Sequence, residues 1–156
     1  MFNILADRVQ DCLFLDLFGG SGAYAIEAIS RDAAHAHIIE ISRAAFGVIR
    51  QNVKSLGMSD KVSLICGDAL KAIPRLAAAG ISFDIIAVAP PHFASLVDKT
   101  MRCLDQNRSI LQPDGVVFVQ HHPKEPVSAS LCNFRPGRRY SYGDTVLSFY
   151  SLTPTQ

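Results

Sequence analysis

The fold class that this 156-residue sequence predicts is a Rossmann-like α/β domain. In it a mostly parallel sheet carries helices on both faces and ends in an antiparallel strand pair. Three observations carry that prediction. Short apolar runs alternate with segments whose apolar residues recur at intervals of three and four, so strands alternate with helices. Strands joined through helices run parallel, because each needs a crossover, and the crossovers cover the sheet. The C-terminal segment abandons this rhythm for aromatic, alternating stretches around Tyr142-Gly143-Asp144, a common edge finish for such sheets.

Leu13–Leu17 is the first buried strand, closed by Gly19-Gly20-Ser21-Gly22, and Ala23–Arg31 follows as a helix with Ala23, Ile26, Ala28 and Ile29 inward. His37–Ile41 is the second strand. Ser42 caps the next helix through its hydroxyl, Ala45, Val48, Ile49, Val53 and Leu56 form that helix's buried face, and Gly57 ends it. Val62–Cys66 is the third strand. The helical stretch Ala69–Ala79 is expected to break or restart at Pro74, which cannot donate to the helix ladder. Phe83–Ala89 is the fourth strand, stopped by Pro90-Pro91, and Phe93, Val97, Met101 and Leu104 mark a helical face beyond it. Pro113-Asp114-Gly115 is turn chemistry before a fifth strand, Val116–Val119.

Composition narrows the class. With 49% apolar and 19% charged residues, the chain supports a single packed domain and is not disordered. No apolar run approaches the roughly 18 residues of a membrane span. The opening Met1–Arg8 has no basic-then-apolar leader, so a cytoplasmic protein is expected. Cys12, Cys66, Cys103 and Cys132 are too scattered for a zinc ribbon or a disulfide framework. Net charge is only +1, which argues against a large self-sufficient nucleic-acid surface. Lys124, Arg135, Arg138 and Arg139 could form a local basic patch, though a solvated face explains them better.

Ligands of open α/β sheets bind beyond the carboxyl ends of the strands, so the residues after each strand carry the chemistry. After the first come Asp16, Phe18, Gly19, Gly20, Ser21 and Gly22, where glycines let backbone approach a ligand and helix N–H groups face it. No Gly-Lys-Ser/Thr follows, which argues against a phosphate-binding P-loop. Glu40, 18 residues beyond Gly22, ends the second strand and can accept both hydroxyls of a ribose. Asp68, beside Ala69, can accept an adenine amino group, cap the next helix, or do both. Ala25 stands where a dinucleotide fingerprint needs glycine, and an anionic Asp16 would repel a pyrophosphate. The same charge suits a ligand's ammonium group, such as the amino end of S-adenosylmethionine.

The stretch Leu15-Asp16-Leu17-Phe18-Gly19-Gly20-Ser21-Gly22-Ala23 resembles the L-D-L-F-A/G-G-S-G-A/S loop of the RsmD family. Those bacterial enzymes methylate a guanine exocyclic amine of small-subunit (16S) ribosomal RNA. Glu27–Arg31 is similar to the family's E-A-L-S-R, Gln51-Asn52 to its helical Q-N, and Tyr142-Gly143-Asp144-Thr145 to its terminal Y-G-D-T, so the likeness runs along essentially the whole chain. The resemblance implies a class I methyltransferase fold over residues 1–156 as one domain. Asp16 and the Gly19–Gly22 loop would then lie at the methionine part of S-adenosylmethionine, Glu40 at its ribose and Asp68-Ala69 near its adenine. It also implies a monomer acting on ribosomal RNA or the small subunit, with S-adenosylhomocysteine as product. The family's N-terminal RNA-binding segment, with its R-P-T motif, is expected to be absent, since Met1–Leu5 matches a position inside the following helix.

One departure is chemical. The family's fourth strand ends in D/N-P-P-Y/F, whose side-chain acceptor and first proline carbonyl hold the amine hydrogens while the aromatic ring stacks on the base. Here the stretch is Ala89-Pro90-Pro91-His92-Phe93. Pro90, Pro91 and His92 are the candidate catalytic residues, with His92 able to stack on a flipped base or to take a proton. Loss of a charged hydrogen-bond partner costs about 1.5–3 kcal/mol, about ten- to a hundredfold in rate. A catalytically impaired S-adenosylmethionine-binding protein is therefore the alternative reading, and a dinucleotide-dependent oxidoreductase a more distant one. His121 and His122 are neighbours on a strand and point to opposite faces, which makes them a poor metal pair, and no metal site is expected.

Overall fold

The computed structural model describes residues 1–91, 95–127 and 130–155. Its elements in chain order are α1 (Ala6–Val9), β1 (Leu13–Asp16), α2 (Ala23–Ser30), β2 (His35–Glu40), α3 (Arg43–Ser55), β3 (Val62–Cys66), α4 (Ala69–Ala78), β4 (Phe83–Val88), α5 (Leu96–Gln106), β5 (Leu111–His121), β6 (Phe134–Tyr142) and β7 (Thr145–Leu152), with a 3₁₀ turn at Arg108–Ile110 before β5. They build one seven-stranded sheet in the order β3-β2-β1-β4-β5-β7-β6. The first five strands are parallel, and β7 runs antiparallel to both β5 and β6. Lateral order reverses at β1, which opens a crevice beside its carboxyl end.

Strand alternation sorts the core into two layers. Phe14, Ile38, Ala87 and Phe118 pack beneath α2 and α3 on one face, while Leu15, Leu17, Ile86 and Val117 pack beneath α4 and α5 on the other. Among the described residues no helix is long and apolar enough to cross a membrane.

Several local expectations are corrected. Helix α4 passes through Pro74 without a break. The carbonyl that residue 74 would have bonded, that of Leu70, accepts from the Cys103 thiol of α5 at 3.6 Å, so packing supplies the partner that the proline withholds. In α2 it is Ala25, not Ala23, that is buried. Val48 and Leu56 of α3 are exposed, and only Ile49 and Val53 are fully buried. β2 starts two residues earlier than expected and ends at Glu40, which leaves Ile41 68% exposed. Pro113-Asp114-Gly115 lies within β5 as a bulge, since Phe83 pairs with Leu111 but Ile85 with Val116. The caps hold: Ser42 Oγ accepts from Ala45 N at 3.2 Å, and Gly57 takes a left-handed φ of 69°.

Gly19 lets the chain leave β1 flush against β2. A Cβ there would stand 2.5 Å from Ile38 Cγ2 and 3.0 Å from Ile49 Cδ1, both fully buried. Gly19→Ala is expected to cost about 1–3 kcal/mol through overpacking, read as a lower urea midpoint at unchanged slope.

Candidate active site

The loop after β1 is built from backbone bonds that hand the chain from one strand to the next. Leu17 N donates to Ala87 O at 3.1 Å, extending the pairing with β4, and Gly19 N then donates to Ile39 O at 2.9 Å, turning towards β2. Gly22 N closes a tight turn onto Gly19 O at 2.7 Å, and Gly22, at φ 81°, opens α2. Glu40 fastens this loop. Its Oε1 accepts from Gly20 N and its Oε2 from Ser42 N, each at 2.8 Å. Gly67 N donates to the Glu40 carbonyl at 3.0 Å, bringing the end of β3 alongside. Asp68 next to it caps α4, its Oδ1 accepting from Leu70 N at 2.9 Å; the capping half of its expected role is thus present.

These strand ends surround a cavity of about 500 Å³, inside the roughly 300–1,000 Å³ range of small-molecule sites. Phe18, Gly20, Glu40, Asp68, Ala69, Pro90 and Pro91 all line it, so seven of the expected residues converge. Apolar walls come from Leu17, Ile39, Ile41, Leu70 and Leu96, with Ala89 beside Pro90. Asp16, Gly19, Ser21 and Gly22 do not line it. Asp16, Gly19 and Gly22 are buried behind it and Ser21 is exposed. His92 and Phe93 lie outside the described residues.

Asp16 is 0% exposed. Its Oδ1 accepts from Phe18 N at 3.2 Å, while Oδ2 has no hydrogen-bond partner among the described residues. Burial pushes its carboxyl up to about 7; the Phe18 N–H opposes this and the Glu40 charge adds to it. The Tyr24 hydroxyl is also raised, by burial first and then by Asp16. It donates to Gln120 Oε1, and the Tyr24 ring meets Phe118 edge-on at 5.3 Å between centroids.

Away from the cavity, His121 is 2% exposed, with Nε2 2.9 Å from Ser148 Oγ and Nδ1 3.1 Å from His122 O. Protein groups thus occupy both of its nitrogens. Three of the four basic residues of the expected patch lie along β6 and divide between two hollows. Arg138 and Arg139 border a small hollow beside His121, whereas Arg135 donates to Ser151 Oγ at 3.3 Å beside Arg8.

Sequence reading missed Ile41, Tyr24 and Gln120. Ile41 was absorbed into a strand that in fact stops before it. An apolar residue straight after a strand-ending acid is the signal that could have marked it. Nothing local distinguishes Gln120 from any polar residue near a strand end.

Comparison with known proteins agrees with this geometry. Residues 1–151 match the family described as conserved hypothetical protein 95. The ribosomal RNA small subunit methyltransferase D of Escherichia coli (strain K12) is 31% identical over 154 residues, which is 96% of this chain and 73% of that protein. The enzyme of the same name from Buchnera aphidicola subsp. Acyrthosiphon pisum (strain APS) is 29% identical over 127 residues, or 81% of this chain; the match spans 64% of that relative's length. Among solved structures, the Escherichia coli protein yhhF superimposes with a TM-score of 0.87 at 27% identity, covering 99% of this chain and 84% of that one.

The buried acid sets a pH dependence. Asp16 is protonated in the fold and ionised in the unfolded chain between about pH 4 and its folded value near 7, so stability falls as pH rises through that window. The full penalty, of order 4 kcal/mol, is reached above it. Asp16→Asn is expected to flatten the slope of melting temperature against pH and to melt several degrees higher than wild type at pH 8, as scanning calorimetry without ligand would read.

Proposed function

We propose, from the premise that this chain belongs to the RsmD family, described as conserved hypothetical protein 95, that it methylates a guanine exocyclic amine of small-subunit ribosomal RNA with S-adenosylmethionine. The observation that carries this reading is the Glu40 clasp at the mouth of an apolar cavity. Each carboxylate oxygen gives one lone pair to a backbone N–H, Oε1 to Gly20 of the loop and Oε2 to Ser42 at the start of α3, and keeps others for the two hydroxyls of a ribose. Ile41 and Leu70 offer flat apolar contact to an adenine, with Asp68 beside them to accept its amino hydrogens. Asp16, buried behind the cavity, keeps one carboxylate oxygen unpartnered and is assigned the cationic amino group, which it would meet once the residues in front of it give way. An acidic, largely apolar pocket of this kind suits a nucleoside with a cationic tail and does not suit a pyrophosphate.

Bound S-adenosylmethionine supplies an electrophilic methyl group on a sulfonium centre. The protein's contribution is positioning. Pro90 and Pro91 form the wall at the end of β4, where Pro90's carbonyl can hold one amine hydrogen. His92 is assigned the stacking position on the base. The apolar lining keeps water from the reacting atoms. The same reading makes residues 1–156 one methyltransferase domain, a monomer in the cytoplasm, with S-adenosylhomocysteine released after transfer.

In titration calorimetry, S-adenosylhomocysteine is expected to bind one per chain and NAD not to bind. Glu40→Ala removes charged hydrogen bonds and should weaken that binding about ten- to a hundredfold. Labelled methyl is expected to pass from S-adenosylmethionine to undermodified small ribosomal subunits. Tight NAD binding with no binding of either sulfur nucleoside would refute the reading.

A further inference from the structure

The end of β4 poses a problem for amine methylation: Ala89 borders the cavity beside Pro90 but carries no polar atom. The neighbouring strand answers it. Ala87 pairs with Phe118 and Val88 with Val119, so the next step sets Ala89 beside Gln120. Residues two apart share a face. Gln120 therefore projects on the side of Phe118 and Ala87, under α2, and its bond to Tyr24 of α2 agrees with that.

The direction of the Gln120 side chain follows from its partner. Asp16, Ala87 and Phe118 lie in one row across β1, β4 and β5. The Tyr24 hydroxyl feels the Asp16 charge from β1 and donates to Gln120 Oε1 from β5. It stands between the two, and so over the small residues of β4. Tyr24 thus holds Gln120 Oε1 on that side of the sheet, although neither residue lines the cavity that Ala89 borders. Adjacent strands are about 4.8 Å apart, a distance that the glutamine stem spans. One lone pair of Oε1 serves Tyr24, and the other is available.

We propose that Gln120, oriented by the Tyr24 hydroxyl, supplies the side-chain acceptor for the substrate amine that Ala89 lacks and is a catalytic residue of the enzyme. This rests on the reading of the site as an amine methyltransferase. Gln120 Oε1 holds one amine hydrogen and the Pro90 carbonyl the other, which turns the nitrogen lone pair out of the ring's conjugation. The nitrogen bonds to the methyl carbon as the carbon–sulfur bond breaks with its electron pair left on sulfur, and the surplus N–H proton is lost to bulk water as the methylated base leaves the site. Glutamine takes no proton and serves as acceptor only. Tyr24 acts through Gln120 and is a positioning residue.

Full-length wild type, Gln120→Leu, Gln120→Glu and the double variant Gln120→Leu/Ala89→Asp are compared for methyl transfer to undermodified small subunits, S-adenosylhomocysteine binding and melting temperature. Gln120→Leu is expected to lower kcat at least tenfold while cofactor affinity stays within twofold. Gln120→Glu, which keeps an acceptor, should stay within a few-fold of wild type, and Ala89→Asp should restore most of the rate lost in Gln120→Leu. If Gln120→Leu turns over within twofold of wild type, the proposal is overturned and the methyltransferase reading stands. It is equally overturned if the loss in Gln120→Leu tracks a fall in melting temperature and Ala89→Asp recovers nothing. A wild-type chain that binds S-adenosylhomocysteine yet transfers no methyl overturns both the catalytic role and the methylation reading and leaves only cofactor binding, whereas one that does not bind it overturns that as well.

Discussion

Two hydrogen bonds from the Glu40 carboxylate hold together everything that makes the strand ends a site. One reaches Gly20 in the loop after β1 and the other Ser42 at the start of α3. Bonds between a carboxylate and backbone N–H groups are among the stronger ones available to a protein. Here they are made at the rim, beyond the backbone bonds that Leu17 and Gly19 make to the neighbouring strands. The carbonyl of the same residue takes Gly67 N from the end of β3. A single residue thus ties together the ends of three adjacent strands, and its free lone pairs face the cavity that those ends enclose. On the proposed reading, ligand recognition and loop integrity share one side chain.

The sheet sets a second constraint by assigning faces. Odd-numbered residues of β1 lie against α4 and α5, and Phe14 and Asp16 lie under α2. That is why Asp16 is buried with Tyr24 and Phe118 nearby while Leu17, one residue on, lines the cavity. The cavity and the Tyr24–Gln120 pair are therefore products of opposite faces, and the role proposed for Gln120 has them meet past the strand ends, near Ala89 and Pro90. A polar group from the α2 face can serve a ligand held against the α4 face there and nowhere deeper in the sheet.

Much of this was legible along the chain because it depends on neighbours close in sequence. Apolar runs marked the five parallel strands, and the caps at Ser42 and Asp68 form by bonds spanning two or three residues. The convergence of Phe18, Gly20, Glu40, Asp68 and Pro90 was readable for a related reason. In a parallel sheet all strand ends that precede a helix lie on one side, whatever their lateral order. Misreadings arose where a distant partner decides. Pro74 stays helical because Cys103, 29 residues later, occupies the orphaned Leu70 carbonyl. Val48 and Leu56 fit the period of α3 but are left exposed, since only Ile49 and Val53 are buried there.

The sequence by itself determined the class of fold, the glycine loop, the acid one strand over and the loss of the motif carboxylate at position 89. Those are matters of residue type and local spacing. Only the tertiary structure decided that β7 inserts between β5 and β6, that Ile41 forms part of a cavity wall, and that the Tyr24 hydroxyl donates to Gln120. Lateral strand order and cross-strand register are fixed by hydrogen bonds and core packing between segments far apart in the chain. No local pattern of residues encodes which polar side chain a neighbouring strand will present.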